Sequence, residues 1–316
     1  MVANYGGNTI SVLRGTRKGS FAANVDFPAG PGPTLLDSGD LNRDGKLDVV
    51  VSNYGGSTMS VFLGNGDGTL QPQVDYGTGR APAGVVLVDL NRDRQLDFVA
   101  ADSYENTISV LLGNRDGTFQ ARNTIAIATT PRAIATGDFN RDGKPDLAVA
   151  GNMGANTVAV LLGRGNGALS LPTFFPAGAN SSWITTGDLN GDRKLDLVVT
   201  NDGSATVSVL LGNGDGTFRA PLDYATDSGP YSAAIGDINR DGFLDVAVAD
   251  LWSTGKVSIL LGNGDGTLQP RTDFPTGAGP VDVELANVNR DRLPDVITAN
   301  FSSSPATVSV LLNTTH

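Results

Sequence analysis

The chain has 316 residues, 40% of them hydrophobic, and contains no cysteine, so disulfides and thiolate metal sites are excluded. Its formal net charge of -11 argues against nucleic acid as a partner, because binding phosphates requires a basic face. No apolar run approaches the roughly 18 residues that a membrane-crossing helix needs, so we predict a soluble chain without membrane insertion.

The chain begins inside a repeat. Its first 15 residues, MVANYGGNTISVLRG, match VVSNYGGSTMSVFLG at residues 50–64. The start therefore resembles a pair of strands and not a signal peptide, and we expect the chain to be part of a larger polypeptide. We predict one domain, 1–316, with repeat units at approximately 1–30, 31–79, 80–128, 129–178, 179–227, 228–277 and 278–316.

Six of these units carry a nine-residue pattern, D-x-N-x-D-G-x-x-D, at intervals of 49 or 50 residues. The pattern begins at Asp40, Asp89, Asp138, Asp188, Asp237 and Asn287. Together the six copies hold 17 of the 33 acidic residues. This concentration of carboxylates indicates a repeated oxygen-rich site, and six divalent ions would change the net charge of -11 to about +1.

Each full unit is predicted to contain four short β-strands, A to D, and no helix. In the unit that begins at Ala81, AGVVLVDL leads into the aspartate loop, DFVAAD leaves it, TISVLLGN follows and FQARNTIAIAT closes the unit. These segments are β-branched or alternating, and turn residues separate them. A four-stranded unit of 40 to 50 residues has the size of a propeller blade. We therefore predict an all-β fold, a β-propeller of four-stranded antiparallel blades.

The number of blades follows from counting strands. The strand resembling S-V-L-L-G occurs seven times, whereas the aspartate pattern occurs six times. The first unit lacks strand A, and the last unit stops after strand C. We favour seven blades with the first and last incomplete. The alternative is six closed blades, in which the strand at residues 21–27 completes the last one.

The pairing of D-x-N-x-D-G-x-x-D with a later V-x-L-G-N-G-D-G-T-F resembles the FG-GAP/VCBS repeat family. That family includes the integrin α-subunit propeller and many secreted bacterial proteins, and the resemblance covers essentially the whole chain. It implies a propeller that holds calcium in its A–B hairpin loops. It does not imply a single activity, because one fold hosts many functions.

The chemistry of the loops agrees with that implication. Side chains at positions 1, 3, 5 and 9 and the backbone carbonyl at position 7 can converge on one hard cation through oxygen alone. We expect five or six Ca²⁺ ions, one per loop. The expected ligands, in loop order, are Asp40, Asn42, Asp44, Lys46 and Asp48; Asp89, Asn91, Asp93, Gln95 and Asp97; Asp138, Asn140, Asp142, Lys144 and Asp146; Asp188, Asn190, Asp192, Lys194 and Asp196; Asp237, Asn239, Asp241, Phe243 and Asp245; and Asn287, Asn289, Asp291, Leu293 and Asp295.

Position 6 distinguishes the loops. Loops one, three and five have glycine there, which permits a left-handed turn. Loops two, four and six have arginine, which costs about 1 kcal/mol at positive φ. Loop six also has the neutral Asn287 at position 1, so we expect it to be the weakest site. The alternative is that all six loops are plain Asx-turns. Asx-turns do not explain three clustered carboxylates, whose repulsion costs about 1 to 4 kcal/mol per close pair without a cation.

The opposite face of the propeller is the candidate ligand surface. Because strands alternate direction, A–B loops and C–D turns share one face, and B–C and D–A loops share the other. The second face carries aromatic and arginine side chains, which are typical of binding hot spots. The candidates are Tyr54, Tyr104 and Trp252 in B–C loops and Arg132, Trp183 and Tyr231 in D–A loops. The alternative is that these side chains cap the blades and fill the central channel.

The residue types argue against catalysis. The single histidine is His316 at the end of the chain, and besides the aspartates only Glu105 and Glu284 are acidic. We therefore expect that the chain is not an enzyme. We expect an extracellular or cell-surface calcium-binding propeller that acts as a protein-binding or adhesion module, because such loops bind calcium weakly and calcium is millimolar outside cells. The alternative is a lectin-like propeller that binds a glycan through aromatic pockets.

Overall fold

The computed structural model describes residues 1–16, 19–152, 156–303 and 306–314. Over these residues the chain forms 26 β-strands in seven antiparallel sheets, and it has no helix with the length and apolar character to cross a membrane. The sheets are the blades of a propeller. The prediction of an all-β propeller with four-stranded antiparallel blades is confirmed.

Five blades have four strands, and the first and last have three. Blade 1 contains β1 (Val2–Asn4), β2 (Thr9–Val12) and β3 (Val25–Pro28). Blade 2 contains β4 (Pro33–Gly39), β5 (Asp48–Asn53), β6 (Thr58–Phe62) and β7 (Val74–Gly77); blade 3 contains β8 (Pro82–Val88), β9 (Asp97–Asp102), β10 (Thr107–Leu111) and β11 (Asn123–Ala126). Blade 4 contains β12 (Thr130–Gly137), β13 (Asp146–Asn152), β14 (Thr157–Leu161) and β15 (Thr173–Pro176); blade 5 contains β16 (Ser181–Gly187), β17 (Asp196–Asn201), β18 (Thr206–Leu210) and β19 (Leu222–Ala225). Blade 6 contains β20 (Pro230–Gly236), β21 (Asp245–Asp250), β22 (Lys256–Leu260) and β23 (Thr272–Pro275); blade 7 contains β24 (Pro280–Ala286), β25 (Asp295–Asn300) and β26 (Thr307–Leu311).

The hydrophobic cores lie between neighbouring blades. One cluster joins Val99 and Ile108 of blade 3 to Leu147 and Leu161 of blade 4, and all four side chains are buried. The second strand of a complete blade is covered on both faces, which explains why it reads as a continuous apolar run such as VVV in β5. A single blade therefore cannot bury its own apolar surface, and stability comes from stacking blades around the ring.

The ring has seven blades, as favoured, and its first and last blades are the incomplete ones. Within the described residues, blade 1 has no strand A and blade 7 has no strand D. The six-blade alternative is wrong, because β3 pairs with β2 in its own sheet. Blades 7 and 1 are neighbours: Gly19 of blade 1 lies against Leu312, as Gly117 of blade 3 lies against Leu63 of blade 2. The circle therefore closes without the two missing strands.

Strand A contains a β-bulge near its start in all six blades that have this strand. The pairing register shifts between Pro131 and Ala133 in blade 4, and between Pro230 and Ser232 in blade 6. A bulge leaves one residue unpaired and changes the direction of its side chain. Arg132 and Tyr231 are the unpaired residues, and Trp183 follows the bulge of β16. The placement of these three in D–A loops was wrong, because the bulge lets strand A begin before them.

A hydrogen-bonded chain of side chains links strands B, C and D. In blade 2, Asn53 Nδ2 donates to Ser60 Oγ at 2.8 Å, and Ser60 Oγ donates to Asp75 Oδ1 at 2.7 Å. We call this arrangement the Asn–Ser–Asp chain. Two other blades form it at 2.8 and 2.6 Å, through Asn4, Ser11 and Asp26 in blade 1 and through Asn201, Ser208 and Asp223 in blade 5.

Blade 6 replaces the amide of this chain with a carboxyl group. Asp250 is fully buried, and its Oδ1 has no hydrogen-bond partner among the described residues. Burial raises the pKa of Asp250 to about 7, and the charges of Asp227 and Asp273 add to this effect, whereas Ser258 and Arg271 oppose it. Lys256 also lies in this cluster, paired with Asp227 and Asp273. Since the pKa in the unfolded chain is near 3.8, this carboxyl group destabilises the fold progressively as the pH rises from about 4 to 7.

We therefore expect Asp250→Asn, which supplies the amide found in blade 2, to stabilise the protein by about 2 kcal/mol at pH 8 and by far less at pH 4. Urea unfolding of both proteins at the two pH values measures the difference. Asp102→Asn in blade 3 is the matched control. Burial raises the pKa of Asp102 to about 6, so its gain should be smaller. A gain from Asp250→Asn that is the same at both pH values would contradict the explanation.

Candidate functional site

The aspartate loops connect strands A and B, and each is fixed by a buried carboxylate at position 9. Asp48 Oδ2 accepts a hydrogen bond from Leu41 N at 2.9 Å, and Asp48 Oδ1 accepts one from Gly64 N at 2.7 Å. The aspartate is fully buried in all six loops. It therefore ties the A–B loop to the C–D turn of the same blade. This confirms that loops and glycine turns share one face.

The polar residues at positions 1, 3 and 5 bond to the backbone of their own loop. In loop one, Asp40 accepts from Asp44 N at 3.1 Å and Gly45 N at 2.9 Å, and Asn42 Oδ1 accepts from Asp44 N at 3.0 Å. Asp44 Oδ1 accepts from Lys46 N at 2.9 Å. Asx-turns are therefore present. Each bond occupies one lone pair of an oxygen that carries two, so the same oxygens can still bind a cation.

The donor set fits a hard divalent ion. Asp237 Oδ1, at position 1 of loop five, is buried without a hydrogen-bond partner among the described residues. In loop two, burial raises the pKa of Asp97 to about 6, and the charges of Asp93 and Asp89 add to the shift. The three carboxylates of one loop therefore interact. Within the described ranges no three acidic side chains already converge on one point, so binding an ion would require them to rotate.

Lysine at position 7 is a feature that the sequence did not reveal, because only its carbonyl was assigned a role. Lys46 Nζ lies 3.0 Å from Asp44 Oδ2, and Lys144 Nζ lies 2.8 Å from Asp142 Oδ2. Loop four repeats the pair. A hydrogen bond from Lys46 lowers the pKa of Asp44. The ammonium group thus supplies positive charge beside the loop oxygens.

Two positions in each loop are left-handed. At position 6, φ is 80° for Gly45 and 69° for Arg94, which confirms the expected positive φ for both residue types. Position 4 is also left-handed, with φ of 61° at Arg43, which the sequence pattern did not predict. Arg43 Nη2 donates to Arg94 O, and Arg240 Nη2 donates to Arg292 O at 2.7 Å. Position 4 is arginine in five of the six loops, and in loops one and five this arginine connects its loop to the loop of the next blade.

On the other face the central channel opens through a group of aromatic side chains. The cavity measures about 1100 Å3 and is lined by strand A residues and B–C loops. Five candidate residues line it: Tyr54, Tyr104, Arg132, Trp183 and Tyr231. We call these five the channel mouth. The ring centroids of Tyr54 and Tyr104 are 5.8 Å apart in an edge-to-face arrangement, and Arg132 Cζ lies 4.3 Å from the Tyr231 ring centroid.

Trp252 does not belong to the channel mouth. Its Nε1 donates to Asp202 Oδ1 at 3.0 Å, its ring lies against Gly229, and 67% of the residue is exposed. Conversely, Tyr5 lines the cavity but was not among the candidates. Tyr5 lies in the same N-Y-G-G sequence as Tyr54, and this match could have identified it as a candidate.

Three carboxylates also line the channel. Asp282 and Glu284 of β24 and Asp37 of β4 line the cavity beside the gap where blade 1 has no strand A. Burial raises the pKa of Asp282 to about 7, and the charge of Glu284 adds to the shift. Burial also raises the pKa of Glu284, although water in the channel reaches its side chain.

Comparison with known proteins supports the repeat assignment. The model of the FG-GAP-like repeat matches the chain six times, at residues 1–51, 40–100, 89–149, 138–199, 188–248 and 237–298. No curated protein matches the chain in sequence.

Several solved structures share the fold. A candidate 6-phosphogluconolactonase from Bacteroides uniformis is 18% identical with a TM-score of 0.72, and the match covers 94% of this chain and 86% of that one. BBS1N in complex with ARL6DN is 14% identical with a TM-score of 0.67, covering 98% and 86%. Catalytically inactive virginiamycin B lyase from Staphylococcus aureus, with quinupristin, is 13% identical with a TM-score of 0.64, covering 98% and 89%.

These neighbours correct the expectation that the chain is not an enzyme. Propellers of this shape include a lyase and a candidate lactonase, so the fold gives no ground for excluding catalysis. The residue types do not exclude catalysis either, because the A strands of blades 2 and 7 bring Asp37, Asp282 and Glu284 to one cavity. At 13 to 18% identity the likeness shows the fold alone and supplies neither a substrate nor a catalytic residue.

Proposed function

Because this chain belongs to the FG-GAP-like repeat family, we propose that it is an extracellular calcium-binding propeller that binds a protein ligand through the channel mouth. The observation that carries the proposal is the convergence of five of the six predicted ligand residues on one opening of the channel. Four aromatic rings and an arginine at one opening provide the side-chain types that dominate protein interfaces.

The channel mouth is also preorganised. Tyr54 and Tyr104 support each other edge to face, and Arg132 stacks on Tyr231. Both members of the second pair are held by β-bulges on rigid inner strands. Side chains fixed in this way lose little rotamer freedom on binding, so more of their contact energy contributes to affinity. A propeller of the same shape, BBS1N, is in complex with a protein, ARL6DN.

In the proposed function, calcium would stabilise the propeller and would not contact the ligand. The ligand positions 1, 3, 5, 7 and 9 of each loop would hold one ion, which would supply positive charge among three carboxylates. The ions would lie on the face opposite the channel mouth and would stabilise the scaffold without touching the ligand. Weak calcium sites of this kind require millimolar calcium, which favours an extracellular or cell-surface location.

Selection from a phage-displayed peptide library on the immobilised protein tests the channel mouth. We expect the selected peptides to bind Trp183→Ala and Tyr231→Ala at least about tenfold more weakly than the unaltered protein, because each substitution removes a large contact area. Trp252→Ala is the control, since Trp252 lies outside the mouth, and it should leave binding unchanged. Peptides that bind all four proteins equally would overturn the proposal.

A glycan array probed with the same proteins tests the second candidate function, which is carbohydrate binding. A lectin-like function is favoured by the partly exposed Trp183 ring beside a cavity large enough for a sugar. It predicts glycan binding that Trp183→Ala removes and Trp252→Ala retains. Glycan binding of this kind, with no peptide binding at the channel mouth, would mean that the ligand is a carbohydrate and not a protein.

A further inference from the structure

Blade 6 carries charged side chains where blade 2 carries neutral ones. Asp250, Lys256 and Asp227 occupy the positions of asparagine, threonine and glycine in blade 2. Lys256 Nζ lies 2.9 Å from Asp227 Oδ2 and 3.5 Å from Asp273 Oδ2. Arg271 Nε lies 2.9 Å from Asp273 Oδ1. We call these five residues the blade 6 cluster. All four strands of blade 6 are present, so the cluster does not border a missing strand.

Two carboxyl groups of the cluster meet at one serine. Ser258 Oγ lies 2.7 Å from Asp250 Oδ2 and 3.1 Å from Asp273 Oδ1. A hydroxyl group has one hydrogen, so Ser258 can donate to only one of these carboxyl groups at a time. If both were ionised, one buried contact would place two acceptors against each other without a hydrogen between them.

Blade 2 shows which group supplies the missing hydrogen. There Ser60 Oγ accepts from Asn53 Nδ2 at 2.8 Å and from a backbone N–H of the preceding loop at 3.2 Å, and it donates to Asp75. In blade 6 the equivalent backbone N–H lies 3.3 Å from Ser258 Oγ. A protonated Asp250 completes the same chain, because its O–H donates to Ser258 and leaves the serine hydrogen for the strand D aspartate.

Asp102 of blade 3 does not need a proton in this way. Its Oδ1 accepts from Gly79 N at 3.0 Å, and its Oδ2 accepts from Thr107 Oγ1 at 3.1 Å and Ser109 Oγ at 2.6 Å. Strand D of blade 3 places a threonine, and not an aspartate, opposite the serine. Asp102 therefore has three donors as an anion, whereas ionised Asp250 would compete with a second carboxylate for one hydrogen.

Lys256 connects the buried carboxyl group to the surface. It lies directly opposite Asp250 in the pairing of β21 with β22, at the position from which Thr107 donates to Asp102 in blade 3. In this structure its ammonium group bonds to Asp227 instead. Ionisation of Asp250 would therefore place two carboxylates in competition for the same lysine.

The D–A loop of blade 6, residues 226–229, supports the Trp252 side chain. Leu251 N and Trp252 N donate to carbonyl oxygens of this loop at 2.8 and 3.2 Å, and the indole ring lies against Gly229. Asp227 belongs to the same loop, so its bond to the lysine fixes the backbone beneath an exposed aromatic ring. Release of Asp227 would loosen that backbone.

We propose that the blade 6 cluster is a proton-controlled latch on the loop that supports Trp252. With Asp250 protonated, Lys256 binds Asp227 and holds the loop closed. When Asp250 loses its proton, Lys256 turns to the buried carboxylate and the loop is released. The charged groups facing Asp250 are thus Asp227 on the loop, Lys256 on β22, Asp273 on β23 and Arg271 just before β23. The latch is independent of the channel mouth and of calcium.

The direction of the pH dependence follows from burial. Burial raises the pKa of Asp250 to about 7 in the closed state, from an ordinary value of 3.8. A carboxyl group whose pKa is raised in one state favours that state at low pH. The closed latch is therefore most stable in acid, opening increases as the pH rises from about 4 to 7, and it becomes constant above that range.

Amide hydrogen exchange followed by NMR tests the proposal. Rates are expressed as protection factors, which removes the intrinsic effect of pH on exchange. We expect the protection of the Leu251 and Trp252 amides to be at least about tenfold lower at pH 7.5 than at pH 5. The equivalent amides of blade 2, Tyr54 and Gly55, bond to Gly32 O and Pro31 O and are the control. Their protection should not change, and an equal fall there would show global unfolding and overturn the proposal.

Two variants, each supplying the residue found in blade 2, complete the test. Asp250→Asn should keep the Leu251 and Trp252 amides protected at both pH values. Lys256→Thr removes the ammonium group that holds Asp227, so it should lower their protection at pH 5 about tenfold. Unaltered protein with the same protection at both pH values would overturn the proposal. So would a loss of protection at pH 7.5 that persists in Asp250→Asn, or full protection of Lys256→Thr at pH 5.

Discussion

Removing calcium with EDTA is expected to lower the melting temperature of the protein by about 15 °C. For a dissociation constant near 10^-4 M and about 1 mM calcium, each site stabilises the folded state by about 1.4 kcal/mol, and six independent sites contribute about 8 kcal/mol. For a domain of this size 1 kcal/mol corresponds to about 2 °C. Differential scanning calorimetry with and without calcium measures the effect, and an unchanged transition would contradict the assignment of the loops as calcium sites.

Two further measurements show whether the effect belongs to the loops. Magnesium should restore less stability than calcium, because it demands a stricter octahedral geometry. Asn287→Asp supplies the carboxylate that loop six lacks at position 1, so it should strengthen the sixth site in a calorimetric titration. In the present structure Asn287 makes neither of the backbone bonds that Asp40 makes in loop one, among the residues described. A titration that Asn287→Asp leaves unchanged would mean that position 1 does not bind the ion.

The substitution Asp146→Ala is expected to destabilise the protein by about 4 kcal/mol, even with EDTA present. Asp146 is fully buried and accepts hydrogen bonds from Phe139 N at 2.9 Å and Gly163 N at 2.7 Å. Removing the carboxylate leaves both buried N–H groups without an acceptor. Urea unfolding in EDTA measures this contribution separately from any bound ion.

The matched control is Asp142→Ala in the same loop. Asp142 pairs with Lys144 at 2.8 Å, and about a third of each side chain is exposed. A pair this accessible to water contributes little, so the cost in EDTA should be far smaller than that of Asp146→Ala. Equal costs for the two substitutions would show that position 9 is not a structural anchor.

The features of the fold that could be predicted from the sequence are those that recur in every repeat unit. The period of 49 or 50 residues, the apolar run after each aspartate loop and the glycine turns were sufficient to predict blades, strand order and the shared face of loops and turns. Counting strands also distinguished seven blades from six. These features are local to one unit, so six copies of the same signal reinforce each other.

The candidate ligand surface was only partly predictable, because it depends on packing between blades. No local signal in TPRAI shows that a bulge leaves Arg132 unpaired at the channel. Trp252 looked equivalent to the other aromatic residues, yet it bonds to Asp202 on the preceding blade. Asp37 and Glu284 each lie three residues before an aspartate loop, but they become neighbours only because blade 7 closes against blade 1. The 49- or 50-residue period of the sequence does not show that blade 7 lies beside blade 1.

The placement of the cores between blades makes the protein a ring of nearest-neighbour interfaces. In an open array of repeats, the end units have one interface each and fray first. A closed ring has no ends, so losing one interface leaves every blade with at least one neighbour. Among the described residues, six hydrophobic clusters join each blade to the next from blade 1 to blade 7, and none of the six joins blade 7 to blade 1. We therefore expect local opening of the ring to cost least at the junction of blades 7 and 1.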